Sequence, residues 1–116
     1  MAGGYDYTSN VAPERTFPHG LDVEVAAPAA LEAAWREAAD PYEREHVTPF
    51  IYRRPERFRL GSVASATPLP HLRWTVDAPP DLEFVRQVYA QLYPGNPTFT
   101  SADVAALPVN SSTYRG

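Results

Sequence analysis

The segment that most restricts the fold is residues 72–89, which read LRWTVDAPPDLEFVRQVY. Its first half is apolar and favours a strand, and it ends on one carboxylate, Asp77. Pro79 and Pro80 follow at once and open an amphipathic segment, as at the start of a helix. A strand that turns directly into a helix indicates an α/β fold. The carboxylate either caps this helix or points into a cleft as a ligand.

Strand patterns also occur near the N-terminus. Residues 5–11 read as a short strand, and residues 21–27 alternate apolar with acidic side chains. Because side chains of a strand alternate between its two faces, Asp22 and Glu24 are predicted to share one face.

Pro28 is predicted to open a helix in the segment that follows. Its apolar side chains recur at helical spacing, which predicts a stripe that packs against the rest of the fold. The stripe consists of Leu31, Ala34, Trp35 and Ala38.

A second helix is expected from Asp40 onward. Asp40 is a good N-cap, Pro41 takes the first helical position, and Glu43 completes a capping-box pattern. Pro49 should bend or break this helix, because proline cannot donate the backbone hydrogen bond that the helix interior needs.

The C-terminal half repeats the alternation of strands and helices. Residues 57–65 are predicted as an edge strand, residues 71–77 as a strand, and residues 80–93 and 99–107 as helices. The helix over 80–93 should present one apolar face, formed by Leu82, Val85, Tyr89 and Leu92. Together these elements predict an α/β sheet of few strands with flanking helices.

Composition excludes several classes of protein. The chain has 116 residues, enough for one domain, and its net charge of −4 argues against a nucleic-acid binder. It contains no Cys, which excludes disulfides and thiolate metal sites. All ten basic residues are Arg, so Schiff-base chemistry on lysine is excluded too. The chain lacks a long apolar run, and we therefore predict a cytoplasmic protein without membrane contact.

Three stretches carry a resemblance to a known family. They are RTFPHGLDVEV (15–25), DPYEREHVTPFIY (40–52) and HLRWTVDAPPDLEFVRQVY (71–89). In this order they resemble the C-terminal half of bacterial cytidylyltransferases of the spore coat polysaccharide biosynthesis protein F type. These enzymes are relatives of the 3-deoxy-manno-octulosonate and acylneuraminate cytidylyltransferases. The similarity runs from about Tyr5 to about Val104.

The resemblance implies a Rossmann-like nucleotidyltransferase domain, of which this chain would be a part. The implied reaction transfers CMP from CTP to a sugar or sugar acid, with Mg²⁺, for surface polysaccharide synthesis. Residues 1–107 would form the acceptor-binding and dimerisation half, and residues 108–116 a flexible tail. The CTP-binding half would lie outside this sequence, and a separately encoded chain is one possibility. We therefore expect no activity from this chain alone.

The resemblance also implies which side chains form the site. In the related sugar-acid enzymes an Asp at the position of Asp77 helps to hold the metal. Acceptor contacts are predicted at five polar residues, Arg15, Asp22, Glu24, Glu45 and His46. A structural alternative stays open for each: a helix cap for Asp77 and a solvated surface position for the others. No residue of this chain is assigned a catalytic role.

Two further possibilities concern association. Half of a Rossmann-like sheet would expose a strand edge and apolar faces, which predicts self-association as a homodimer. The alternative to an enzyme part is a catalytically inactive module that self-associates or binds a partner or ligand.

Overall fold

The structure, a computed structural model, describes residues 4–115. The strands are β1 (Tyr7–Ser9), β2 (Glu24–Ala26) and β3 (Leu60–Ser62). The helices are α1 (Pro28–Glu37), α2 (Pro41–His46), α3 (Pro49–Tyr52), α4 (Pro79–Leu92) and α5 (Ser101–Ala105). The chain divides into two compact units. Unit 1 holds the residues up to Thr16 together with Asp22–Ala66, and unit 2 holds Phe17–Leu21 and the residues from Thr67 onward.

Unit 1 contains a three-stranded mixed sheet in the order β2-β1-β3. The central strand β1 runs antiparallel to β2, with Thr8 opposite Val25, and parallel to β3, with Thr8 opposite Gly61. A parallel neighbour requires a long crossover, and here α1, α2 and α3 lie between the paired strands in the sequence. The predicted α/β class, a small sheet with flanking helices, is confirmed.

The core of unit 1 is formed where α1 and α3 pack together and meet the sheet. Its buried side chains are Tyr7, Ala30, Ala34, Phe50, Ile51 and Phe58. The predicted apolar stripe of α1 is wrong in part, because Leu31 is exposed and Trp35 is 70% exposed. Small alanines face the core instead, which lets the backbone of α1 lie close to α3.

The break between α2 and α3 occurs where Pro49 predicted it. The Asp40 carboxylate caps α2 by accepting a 3.2 Å hydrogen bond from the backbone N–H of Glu43. Val47 then adopts φ +69° and ψ −65°, and the Thr48 N–H donates to the His46 carbonyl at 2.8 Å. This is a γ-turn, a strained backbone conformation for a β-branched residue.

The second half of the predicted capping box is wrong. The Glu43 carboxylate is buried and accepts hydrogen bonds from Arg54, at 3.0 and 3.2 Å, rather than from the start of α2. These charge-assisted bonds from Arg54 hold the pKa of Glu43 below its usual range. An arginine partner outweighs a backbone N–H here because it neutralises a buried charge.

Unit 2 is built around α4 rather than around a strand. The predicted strand over 71–77 is wrong, since the segment forms only an isolated parallel bridge between His19 and Arg73 within the described residues. The buried apolar side chains of this unit include Leu72, Phe84 and Val88. No helix within residues 4–115 is long and apolar enough to span a membrane.

The buried face of α4 also differs from the predicted one. Asp81, Phe84 and Val88 are buried, whereas Leu82 and Tyr89 are exposed. The buried set follows the spacing i, i+3, i+7, so the helix is amphipathic as expected. It is rotated so that the carboxylate of its first turn points inward.

Gly20 fixes the bridge in unit 2. Its φ is +113°, and a Cβ there would lie 2.9 Å from the backbone of Trp74. Only glycine tolerates both conditions. The neighbouring His19 can therefore pair its N–H and carbonyl with the carbonyl of Leu72 and the N–H of Trp74.

Candidate functional site

A cleft of about 560 Å³ opens in unit 1. The sheet provides one side of it, and α2, α3 and the turn between them provide the other. Its polar and aromatic lining includes Tyr7, Ser9, Asp22, Glu24, Tyr42, His46, Thr48 and Tyr52. Three of the residues predicted to bind the acceptor, Asp22, Glu24 and His46, therefore line one cleft.

Glu24 stands at the centre of the hydrogen bonding in this cleft. Its Oε2 accepts a bond of 2.5 Å from the Tyr7 hydroxyl and one of 2.8 Å from the Thr48 hydroxyl. Within residues 4–115 its Oε1 has no hydrogen-bond donor. The carboxylate is thus held in place through one oxygen while the other remains able to accept.

Tyr7 connects the cleft to the core. Its ring is 3% exposed and lies 5.8 Å from the Tyr52 ring, while its hydroxyl reaches Glu24. Burial and the bond to Glu24 raise the pKa of Tyr7 well above its usual value. Burial likewise raises the pKa of Tyr52. Both phenols therefore stay protonated and can donate to a carboxylate or to a ligand.

Arg15 and Asp22 form a bidentate ion pair. Two guanidinium nitrogens donate to the two Asp22 oxygens at 2.6 and 3.0 Å. The hydrogen bonds that Arg15 donates to Asp22 raise the pKa of Arg15 further. Asp22 lines the cleft, whereas Arg15 is connected to the cleft through its ion pair with Asp22. This pair largely compensates the positive charge of Arg15.

His46 and Glu45 occupy different positions. The His46 ring lines the cleft 4.4 Å from the ring of Tyr42. Glu45 lies on the exposed side of α2, with its Oε2 3.8 Å from His46 Nε2. The strained turn at Val47 separates His46 from Thr48 and lets both side chains reach the cleft. Strain of this kind tends to be retained where the surrounding structure and a site require it.

Asp77, in unit 2, is an accessible carboxylate. Its side chain is 69% exposed, and Arg73 donates to it at 3.0 Å. The alternative that it caps α4 is wrong, because the N-cap is Ala78 and the capping oxygen belongs to Asp81. The backbone N–H groups of Asp77 and Ala78 both donate to Asp81 Oδ2.

Asp81 is the most strongly bonded acid in unit 2. Arg73 donates to both of its oxygens at 2.9 Å, and the Ser112 hydroxyl donates at 2.6 Å. These bonds, above all those from Arg73, hold the pKa of Asp81 far below its usual range. Ser112 belongs to the segment predicted as a flexible tail, and it is buried here. The predicted domain division stays a prediction.

Asp77 is the side chain through which this chain could bind Mg²⁺. Mg²⁺ is commonly bound by one or two carboxylates together with substrate phosphates and water. Asp77 offers such a carboxylate, and its exposure leaves room for an ion. Within residues 4–115 no cluster of three or more acidic or histidine side chains could hold a metal, so Asp77 could bind an ion only together with ligands from outside this set.

Sequence reasoning missed three residues that organise these sites: Tyr7, Thr48 and Asp81. Thr48 follows His46 by two positions in the stretch EREHVTP, which could have indicated it. Asp81 occupies the third position of a helix opened by two prolines, where an acidic side chain commonly bonds the N-cap N–H. No comparable signal distinguishes Tyr7 from other strand residues.

Comparison with known proteins finds a solved structure with a similar fold. The fold is similar to that of a cytidylyltransferase from Leptospira borgpetersenii serovar Hardjo-bovis, with a TM-score of 0.70 and 26% identity over 78% of this chain. This likeness supports the cytidylyltransferase class and a nucleotidyltransferase-like fold.

A second similarity comes from sequence. The chain is 40% identical over 60 residues to the uncharacterized protein MJ1063 of Methanocaldococcus jannaschii. These 60 residues make up 52% of this chain. The matches span 38% of the Leptospira chain and 23% of MJ1063, so this chain corresponds to less than half of either protein. No family model matches the chain.

Proposed function

We propose that this chain is the acceptor-binding part of a cytidylyltransferase of the spore coat polysaccharide F type. The complete enzyme transfers CMP from CTP to a sugar or sugar acid used in surface polysaccharide synthesis. The observation that carries this proposal is the likeness to the Leptospira cytidylyltransferase, which extends over 78% of the chain at a TM-score of 0.70.

The cleft of unit 1 is the proposed acceptor site. Glu24 accepts a hydrogen bond from an acceptor hydroxyl, and His46 and Asp22 provide further polar contacts from the same lining. Arg15 orients Asp22 through its bidentate pair, and Glu45 lies beside His46 at the rim. The exposed part of the Tyr52 ring gives the apolar surface on which a sugar ring packs.

Asp77 is the proposed Mg²⁺ ligand of this chain. The ion, when bound, neutralises negative charge on the phosphates of CTP, which is the main requirement for attack at phosphorus. Arg73 keeps the Asp77 carboxylate in one orientation. The CTP site and the remaining ligands belong to a further part of the enzyme, within the same protein or encoded separately.

The second candidate function is a module without catalytic activity that self-associates or binds a partner. The exposure of large apolar side chains such as Trp35 and Tyr89 favours it. The same exposure supports homodimerisation of the enzyme part.

Pyrophosphate release from CTP with Mg²⁺ and a panel of sugars and sugar acids tests the enzymatic proposal. The chain is assayed alone and together with a polypeptide encoded directly upstream. We expect activity only in the mixture, and we expect Asp77→Asn to abolish it. Glu83→Gln, the same acid-to-amide change at an exposed position of α4, is the matched control. A folded dimer without activity in either assay would support the binding module instead.

A further inference from the structure

We propose that the cleft of unit 1 selects a sugar without a carboxylate, that an amino substituent strengthens its binding, and that Glu24 sets this preference. The inference rests on the proposed function, because it narrows the choice between sugar and sugar acid that this function leaves open. It is argued from the hydrogen bonds, charges and walls of the cleft.

The hydrogen bonds of Glu24 require a ligand that brings donors. An ionised carboxylate offers about four acceptor positions and no donor. Tyr7 and Thr48 both donate to Oε2, and within residues 4–115 none donates to Oε1. A ligand hydroxyl or ammonium group completes this set, whereas a ligand carboxylate would place two acceptors against each other.

The charges at the cleft also oppose an acidic ligand. Glu24 lines it without a cationic partner, whereas the charge of Asp22 is compensated by Arg15, and the described lining contains no Arg. Two arginines that contact lining residues are already paired: Arg15 with Asp22, and Arg53, which lies over the Tyr42 ring, with Asp40 and Glu43. His46 is the only basic side chain of the described lining, and it is half exposed. A sugar acid would therefore meet like charge without a compensating partner.

The walls and size of the cleft suit a single sugar ring. A volume of about 560 Å³ lies within the range of small-ligand sites. Tyr52 lines the cleft and is 39% exposed, so its aromatic ring can pack against the C–H face of a sugar. An ammonium group held near Glu24 also gains from the negative face of this ring.

The direct test compares matched ligands on the unmodified chain. Glucose, galactose and mannose are each used in three forms: the neutral sugar, the 2-amino sugar and the uronic acid. Binding is measured by NMR titration, with the ring signals of His46 and the amide signal of Thr48 as reporters of the cleft. For at least one scaffold we expect the amino sugar to bind most tightly, the neutral sugar less tightly and the uronic acid least tightly. The Kd of the uronic acid should be roughly tenfold higher than that of the amino sugar.

Variants assign the preference to Glu24. Glu24→Gln keeps the shape of the side chain and removes its charge, so we expect the amino sugar to bind no more tightly than the neutral one. Glu32→Gln makes the same change on α1, outside the cleft, and should leave the order unchanged. Thr48→Val removes one donor to Glu24 but keeps the charge, and the amino preference should survive it.

Three results would overturn the inference: uronic acids that bind as tightly as the amino sugars, a preference that persists in Glu24→Gln, or no binding by any sugar of the panel. These results are distinct from failure of the proposed function. Pyrophosphate release with sugar acids would support cytidylyl transfer and refute this inference. Amino-sugar binding through Glu24 without pyrophosphate release in the mixture would support this inference and count against cytidylyl transfer.

Discussion

The guanidinium of Arg73 donates one hydrogen bond of 2.9 Å to each carboxylate oxygen of Asp81, a side chain with no solvent exposure. Asp81 also accepts from Ser112 and from the backbone at the start of α4. One acid therefore connects the segment before α4, the helix itself and the C-terminal residues. In unit 2 the segment over 71–77, predicted as a strand, is held by hydrogen bonds to this side chain.

Asp81→Asn should destabilise unit 2 strongly. The amide loses the charge that pairs with Arg73 and places an N–H₂ group among five donor groups. We expect the melting temperature to fall by roughly 10 °C, measured by circular dichroism. Glu83→Gln, at an exposed position of the same helix, is the control and should leave the melting temperature nearly unchanged. Equal melting of the two variants would contradict the role given to Asp81.

The stability of unit 2 should depend on pH through Asp81. Because Arg73 lowers the pKa of this carboxyl in the folded state, the unfolded chain binds more protons in acid. The stabilisation is present above the unfolded pKa of about 3.9 and is lost as the pH falls below it. Urea unfolding between neutral and acidic pH, followed by Trp74 fluorescence in a Trp35→Phe background, measures this loss. An Asp81→Asn chain with an unchanged pH slope would refute the assignment.

Val47→Gly should not destabilise unit 1 as a valine-to-glycine change normally does. Valine at φ +69° stores strain of about 1–3 kcal/mol, and glycine adopts this region freely. We expect unchanged stability or a gain of about 1 kcal/mol in urea unfolding. Val25→Gly, a matched change at an exposed position of β2 with ordinary backbone, should be destabilising. Similar losses in both variants would show that the γ-turn at Val47 stores no strain.

Ile51 and Trp35 should differ sharply in their effect on stability. Ile51 has 0% exposure in the core of unit 1, so Ile51→Ala removes packed methyl groups and should cost about 2–5 kcal/mol. In the dissociated chain, Trp35→Ala should cost no more than about 0.5 kcal/mol, since the ring is mainly exposed there. Chemical unfolding of both variants measures the difference. A large loss in Trp35→Ala would mean that this ring is covered in solution.

Local signals predicted the parts of the fold that local interactions decide. The cap at Asp40, the break at Pro49 and the start of α4 at the paired prolines follow from the backbone properties of these residues. The α/β class followed from the alternation of strand and helix patterns. His46, Asp22 and Glu24 were predicted as site residues, and they lie in one cleft. Their binding role stays a prediction.

The features that depend on tertiary contacts could not be predicted from the local sequence pattern. The face that α1 buries depends on how closely a helix can approach its neighbour, which favoured Ala34 over Trp35. The segment over 71–77 reads as a strand, yet its carbonyl and N–H groups are used by His19, Ser111 and Asp81. His19 and Ser111 are distant in sequence, and such partners leave no periodic signal.

Tyr7 places one residue under two separate requirements. Its ring fills the core between the sheet and α3, and its hydroxyl donates to Oε2 of Glu24, which leaves Oε1 able to accept. A substitution that retains the ring, such as phenylalanine, alters recognition alone, and one that removes the ring alters folding as well. Engineering of a new specificity in this cleft should therefore begin at Thr48 or His46, where side chains can be exchanged without emptying the interior.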